Sequence, residues 1–206
     1  ALTRIYELKA LTSHINPHFF YNTLDTIIWM AEFQDHQKVV DITKALSNYF
    51  RLSLNAGEEI VTLRQEIEHV RQYLFIQKER YGDKLEYDID ETDDFPDIKL
   101  PKIVLQPLVE NAIYHGIKES ERPGKITITV SKRDTFIDIC IEDNGVGIKE
   151  NTTSTKELGG VGIKNIQERL ALFFGEAFSM EIESELNAYT KVYLHLPLKE
   201  EGHANS

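Results

Sequence analysis

The apolar residues change their period near residue 82, and that change limits what the chain can fold into. Up to there they recur every three or four positions: Leu8, Leu11, Ile15 and Phe19, then Leu24, Ile27, Ile28 and Ala31. Val39, Ile42, Leu46, Tyr49 and Phe50 follow, and Leu63, Ile67, Val70 and Leu74 after them. This spacing predicts amphipathic helices. "EFQDHQ" separates the first helix from the second, and "NAG" at 55–57 ends the second with a glycine suited to the left-handed cap. Thr62 is placed to cap the third helix, and "YGDK" ends it. Two helices with a short polar link read as an antiparallel hairpin. A hairpin alone closes no core, so its stripe at Ile42, Leu46 and Phe50 needs either a partner hairpin or the rest of the chain. We expect a homodimer, with two hairpins forming a four-helix bundle.

Beyond residue 82 the period becomes two. Leu85, Tyr87 and Ile89 alternate with charged residues, as in a half-buried strand. "PKIVLQPLVENAIYHGI" reads as a helix in which Pro107 is tolerable only in the first turn. "KITITV" and "TFIDICIE" form a hairpin, "IKNIQERLALFFG" is a helix ended by Gly175, and "FSMEIES" with "TKVYLHLP" is a closing hairpin. The fold class is α+β, with helices on one face of a mixed or antiparallel sheet. The expected organisation is a helical, dimerising region at 1–60, a connecting helix at 61–82, an α/β domain at 83–199 and a disordered tail at 200–206.

Composition narrows the partners. A net charge of −11 argues against nucleic acid, which is bound through an excess of Lys and Arg. No apolar run reaches the ~18 residues of a membrane span. The chain opens on Ala1 in a helical pattern, so we expect a fragment, with membrane attachment only through a missing N-terminal part. The single cysteine, Cys140, excludes a disulfide within the chain and fits a reducing compartment.

Three short motifs carry the chemistry. "ENAIYHG" (110–116) lies late in a helix, "DNGVG" (143–147) directly follows a strand, and "GGVG" (159–162) opens a helix. Gly145 and Gly147 let backbone approach a flat ligand. Asp143, leaving a buried strand, is an acceptor for an amino group such as that of adenine. Gly160 and Gly162 precede a helix whose free N–H groups suit phosphates. Asn111 offers a neutral oxygen to Mg²⁺. His115 shares a face with Asn111 and either lines the pocket or simply packs. Lys118, Arg122 and Lys156 either meet phosphates or form a solvated face. The long loop between the glycine motifs suits a lid.

These three motifs resemble the N, G1 and G2 boxes of the GHKL ATPases, which include gyrase, the Hsp90 chaperones, MutL and the histidine kinases. The resemblance implies the Bergerat ATP-binding fold, an α/β sandwich. It assigns Mg²⁺ to Asn111, adenine to Asp143 and the ATP lid to about 148–160. "INPHFFYNTL", "LRQEIEHVRQYLFIQKERYGDKL" and "LPKIVLQPLVENAIYHGI" are similar to the LytS/YesM-type sensor histidine kinases, with the likeness running from about Leu8 to Leu198. On that mapping His18 is the phosphoacceptor. His14 stands where the family usually has Gln.

Residue chemistry agrees with that mapping. A nucleophilic imidazole must be neutral, and histidine changes charge nearest neutral pH. Pro17 predicts a bend that presents His18 and deprives the carbonyl of Ser13 of its usual donor. An acidic residue often follows the acceptor in other kinases, but here Phe19 does. A base must then come from elsewhere, or positioning carries the reaction. Glu110 is named as a polariser. Asn22, four after His18, either orients a water or phosphoryl group or makes a plain structural hydrogen bond. His36, His69, His195 and His203 read as ordinary surface or strand residues. The expected activity is ATP-dependent autophosphorylation of His18 and transfer to an aspartate of a response-regulator receiver domain, in the cytoplasmic portion of a membrane protein. The rivals are a GHKL ATPase without phosphohistidine and a nucleotide-binding scaffold.

Overall fold

The computed structural model describes residues 16–54, 57–91, 97–118, 120–148 and 160–198. Helix α1 spans Pro17–Glu32, and α2 spans His36–Leu54 after a tight turn with Gln34 at φ +59°. Strand β1 (Ile60–Thr62) leads into α3 (Leu63–Tyr81). Thr62 and Gln65 form a reciprocal capping box at the start of α3, and Gly82 closes its end. A single 3₁₀ turn then opens β2 (Leu85–Glu91), followed by β3 (Lys99–Pro101). Helix α4 (Leu105–Asn111) has Pro107 in its first turn and widens into a π-helical segment, Ala112–Ile117. The rest is β4 (Gly124–Arg133), β5 (Phe136–Asp143), α5 (Gly160–Phe174), β6 (Ser179–Glu185) and β7 (Tyr189–Pro197).

The main sheet has the order β2-β4-β5-β7-β6, with β2 parallel to β4 and every other pair antiparallel. Alternation along the central strands decides which face is dry. Ile126, Ile128 and Val130 of β4, Ile137, Ile139 and Ile141 of β5, and Val192, Leu194 and Leu196 of β7 are buried against α4 and α5. The opposite face carries residues such as Thr129, Asp138 and Lys191, so the domain is a two-layer α/β sandwich. Strands β1 and β3 pair separately as a small ribbon that fastens the start of α3 to the start of α4.

The structure revises three readings of the helical part. Helix α1 starts at Pro17 as its first residue, capped by the side chain of Asn16, so Pro17 begins a helix and bends nothing within the described residues. The stripe of α2 is covered within the chain: Ile42 is fully buried and Leu46 nearly so, against α1 and α3. The apolar residues left open are Tyr21, Ile28, Trp29, Phe33, Val40 and Leu54. His69 is buried rather than superficial. It stacks on Tyr49 and lies 2.7 Å from Ser53 Oγ, and burial pushes its imidazole down to about 4. Ser53 donates its one proton to the carbonyl of Tyr49, so His69 is the donor to Ser53. Among the described residues no helix is long and apolar enough to cross a membrane.

Candidate nucleotide site and phosphoacceptor helix

A cleft opens between the π segment, the ends of β5, β6 and β7, and α5. Leu108, Ala112, Ile141, Ile148, Ile163, Ile182 and Val192 supply apolar walls, and Asn111, His115, Asp143 and Thr190 supply the polar groups. It holds about 500 Å³ out to its mouth.

Asp143 is the last residue of β5 and is only 4% exposed. Its Oδ1 accepts the Gly145 N–H at 2.9 Å. Burial raises the carboxyl to about 6, and that one amide only partly offsets the effect. A buried carboxylate with unused lone pairs facing an apolar cleft is an acceptor in need of a donor.

Glycine is required where the cleft floor is assembled. A Cβ on Gly116 would sit 2.3 Å from Asp143 Oδ1, and one on Gly145 would sit 2.2 Å from the Gly116 carbonyl carbon. The two backbones are further joined by Val146 N–H donating to Gly116 O at 3.1 Å. Gly147 has φ +66°, and a side chain there would strike the Glu185 carbonyl. Gly116→Ala is therefore expected to displace Asp143, destabilise the fold by about 1–3 kcal/mol and weaken nucleotide affinity. Thermal unfolding and a nucleotide titration check both effects.

Asn111 ends α4 and lines the cleft with its Nδ2 buried and unpartnered. The two ends of an amide exchange by a flip, so Asn111 presents a polar end free for a ligand. This donor set, a carboxylate among apolar walls plus a spare amide, fits an adenine nucleotide with its metal ion. Of the other expected residues, His115 and Gly147 line the cleft, and Gly145 packs behind it. Gly160 and Gly162 open α5, whose Ile163 forms a wall. Lys156 lies outside the described residues, as does His14. Lys118 sits over the ring of Tyr114. Arg122 is occupied by the carbonyls of Asn144, Gly145, Asn187 and Ala188, and so fastens the glycine turn to the β6–β7 turn instead of meeting phosphates.

Gly116 and Thr190 escaped the sequence reading as individual site residues. Gly116 lay inside a quoted motif, but its contact with Asp143 is long-range. Thr190 has no motif signal and is found only through its strand register opposite Asp143.

On α1, His18 is exposed at the second helical position, and Asn16 Oδ1 accepts its N–H at 3.1 Å. Asn22 Nδ2 lies 2.9 Å from His18 Nδ1 and 3.2 Å from Nε2. Glu110 turns away from the cleft. Gln106 Nε2 donates to it at 2.8 Å, and the Asn16 side chain bonds to it as well. Burial raises the Glu110 carboxyl, and these two hydrogen bonds oppose the rise. Gln106 also donates to Tyr49 Oη at 2.8 Å, so a polar chain Tyr49–Gln106–Glu110–Asn16 joins α2, α4 and the cap of α1.

Known proteins with these features were found by comparison. Residues 97–200 match the family described as histidine kinase-, DNA gyrase B- and HSP90-like ATPase, and residues 6–85 match that described as histidine kinase. The chain belongs to this ATPase family and, within it, to the sensor histidine kinases. Sensor histidine kinase YesM of Bacillus subtilis (strain 168) is 36% identical over 195 residues, covering 95% of this chain and 34% of that protein. Sensor protein LytS of Bacillus cereus is 33% identical over 202 residues, covering 94% of this chain and 34% of that protein. The chain thus spans about a third of the length of these relatives. The histidine kinase domain from the Erythrobacter litoralis EL346 blue-light activated histidine kinase shares the fold, with a TM-score of 0.54 at 15% identity and 96% of each chain covered.

Proposed function

We propose that this chain binds ATP with Mg²⁺, transfers the γ-phosphoryl group to His18, and passes it to an aspartate of a response-regulator receiver domain. The observation that carries the reading is the polar chain through Glu110 and Asn16, which brings the helix bearing Asn111 against the cap of the helix bearing His18.

Asp143 accepts the adenine amino group, the apolar walls hold the ring, and Asn111 offers its amide oxygen to Mg²⁺. When bound, Mg²⁺ neutralises phosphate charge and orients the transferred group. The new bond joins a His18 ring nitrogen to phosphorus, the bond from phosphorus to the bridging oxygen breaks, and ADP leaves. Asn22 sets the tautomer. With its amide oxygen turned to His18 Nδ1, it accepts a hydrogen bond from the Nδ1–H and leaves the lone pair on Nε2 for attack. That proton then departs to solvent, with Glu110 the carboxylate that α4 presents to the start of α1. His115 forms part of the rim, and Lys156 is a candidate phosphate contact from the lid. Incubation with γ-labelled ATP tests the reading: a label lost in mild acid and stable in base supports it, and an unlabelled protein that hydrolyses ATP favours the simple ATPase.

Gly160 and Gly162 at the start of α5 serve phosphates through free backbone N–H groups. Among the described residues, a Cβ at Gly162 would meet no atom within 4 Å beyond its chain neighbours and its own helix. Gly162→Ala is therefore expected to leave the unfolding temperature unchanged or raise it slightly, since alanine is the better helix residue by about 1 kcal/mol. Any loss of ATP affinity then comes from crowding the ligand. Unchanged affinity would make this turn merely structural.

The chain is proposed to act as a homodimer through the open face of Tyr21, Ile28, Trp29 and Phe33. Ile28→Glu with Trp29→Glu is expected to convert a dimer into a monomer at about ten micromolar, an ordinary affinity range, as sedimentation equilibrium would read. Membrane attachment, if the parent protein has it, lies outside this chain, which we assign to the cytoplasmic side.

A further inference from the structure

Two charged residues are buried on the apolar faces of their helices, at places the nucleotide chemistry does not use. Glu66 lies in the first turn of α3 and is 2% exposed. Arg169 lies on α5 and is 4% exposed. Both reach the same four-residue turn, 102–105, which starts α4.

Glu66 takes the amides of that turn. Its Oε1 accepts from Ile103 N at 2.5 Å, and its Oε2 accepts from Val104 N at 2.8 Å and Leu105 N at 3.0 Å. Val104, at the N-cap of α4, makes no side-chain capping bond, so α4 is capped by a carboxylate from another helix. Arg169 takes the carbonyls: Nη1 donates to Ile103 O at 3.0 Å and Nη2 to Lys102 O. Ile103 itself sits at φ +57°, which a β-branched residue rarely adopts, so the surrounding bonds hold it there.

The elements meeting at the turn are those that matter for transfer. Helix α3 packs on the phosphoacceptor helix through Tyr73 against Phe19. Helix α4 carries Glu110 and Asn111. Helix α5 carries Ile163 of the cleft wall and Gly162.

We propose that Glu66 and Arg169 are positioning residues that clamp the 102–105 turn and so set α4, with Asn111, relative to the helical unit and α5. The inference rests on the assignment of Asn111 to the Mg²⁺–nucleotide complex. Neither residue touches nucleotide; both act through the helix between them. The adenine acceptor Asp143 sits on β5, and α4 with its π segment adds only apolar wall and floor there, so displacing α4 bears first on the Asn111 contact with Mg²⁺ and less on the adenine contact.

The experiment compares the full chain with Glu66→Gln and Arg169→Lys, using ADP as the probe with Mg²⁺ and with chelator. Gln cannot accept three amides with one oxygen and a donor group, and Lys cannot bridge two carbonyls as the guanidinium fork does. In both variants the gain in ADP affinity from Mg²⁺ is expected to fall about tenfold while affinity in chelator stays within about twofold, the size of loss seen when supports of a metal ligand are removed. Amide exchange at 109–113 is expected to accelerate. An unchanged Mg²⁺ gain with unchanged exchange overturns the proposal, and so does an equal loss of affinity with and without Mg²⁺. If Glu66→Gln does not fold, Arg169→Lys decides on the same readings. If the unsubstituted chain binds no ADP, the function proposed above fails, and exchange at 109–113 alone decides the clamp: faster exchange supports it and unchanged exchange overturns it.

Discussion

Asp143→Asn is expected to abolish adenine nucleotide binding and, at neutral pH, to make the folded protein more stable. The two effects share one cause. Burial lifts the Asp143 carboxyl from 3.8 to about 6, so above pH 6 the fold carries a charge that the unfolded chain solvates better. A group raised in the folded state contributes stability that is fully present below its unfolded value and is lost as pH rises through its folded value. For Asp143 that window is about pH 4 to 6. Asparagine carries no charge and keeps an oxygen for the Gly145 N–H. The variant's advantage should thus grow across that window and level off above it at about 1–3 kcal/mol, since each pKa unit is worth about 1.4. Denaturant unfolding at pH 4.5 and 7.5 gives the difference directly. ATP titration at pH 7.5 gives the binding loss, and the wild-type chain should itself lose ATP affinity as pH falls below about 6, when its acceptor protonates. A variant that binds ATP normally removes Asp143 from the adenine site. A variant that binds nothing but gains no stability would mean that the carboxylate is better solvated than its burial indicates.

The carboxylate is costly because it is buried with a single amide partner, and its place in the chain was legible in the sequence. Asp143 ends an alternating strand and opens a glycine turn, both local signals. The change of period, the Thr62 cap and the position of Pro107 are local too, and each appears where the spacing puts it. What stayed hidden depends on contacts between distant segments. Strands β1 and β3 have three residues each and pair across the whole of α3, so no pattern within either announces them. The π segment moves Gly116 under Asp143, and regular helical spacing does not foresee that widening. Glu66 and Arg169 did leave a trace. Glu66 stands with Leu63, Ile67 and Val70 on one helical face, and Arg169 stands with Ile166 and Leu170. A charge on an apolar stripe asks for a buried partner, but only the fold shows that the partner is a turn 37 to 39 residues further on for Glu66.

His18→Gln is expected to abolish labelling from γ-labelled ATP while leaving nucleotide affinity unchanged, because the cleft residues lie on other elements. The imidazole is exposed on the first turn of α1, and only Asn22 is hydrogen-bonded to its ring within the described residues. Its loss therefore opens no cavity and should shift the unfolding temperature little, as is usual for surface substitutions. His14→Gln is expected to keep the label, since it moves the sequence toward the family pattern. Pro17→Ala should also keep it, because Asn16 still caps the helix and alanine is accepted at its first position. Asn22→Ala should slow labelling without preventing it, since the nucleophile remains but its tautomer is no longer set. That loss should be about 10- to 100-fold, in the range of a group that orients a reactive histidine. The bond formed is a phosphoramidate, so the label should leave in mild acid and survive base. Full labelling of His18→Gln would move the acceptor to another residue, with His14 the first to test. A label that survives acid would end the histidine-kinase reading, because no N–P bond to imidazole does so.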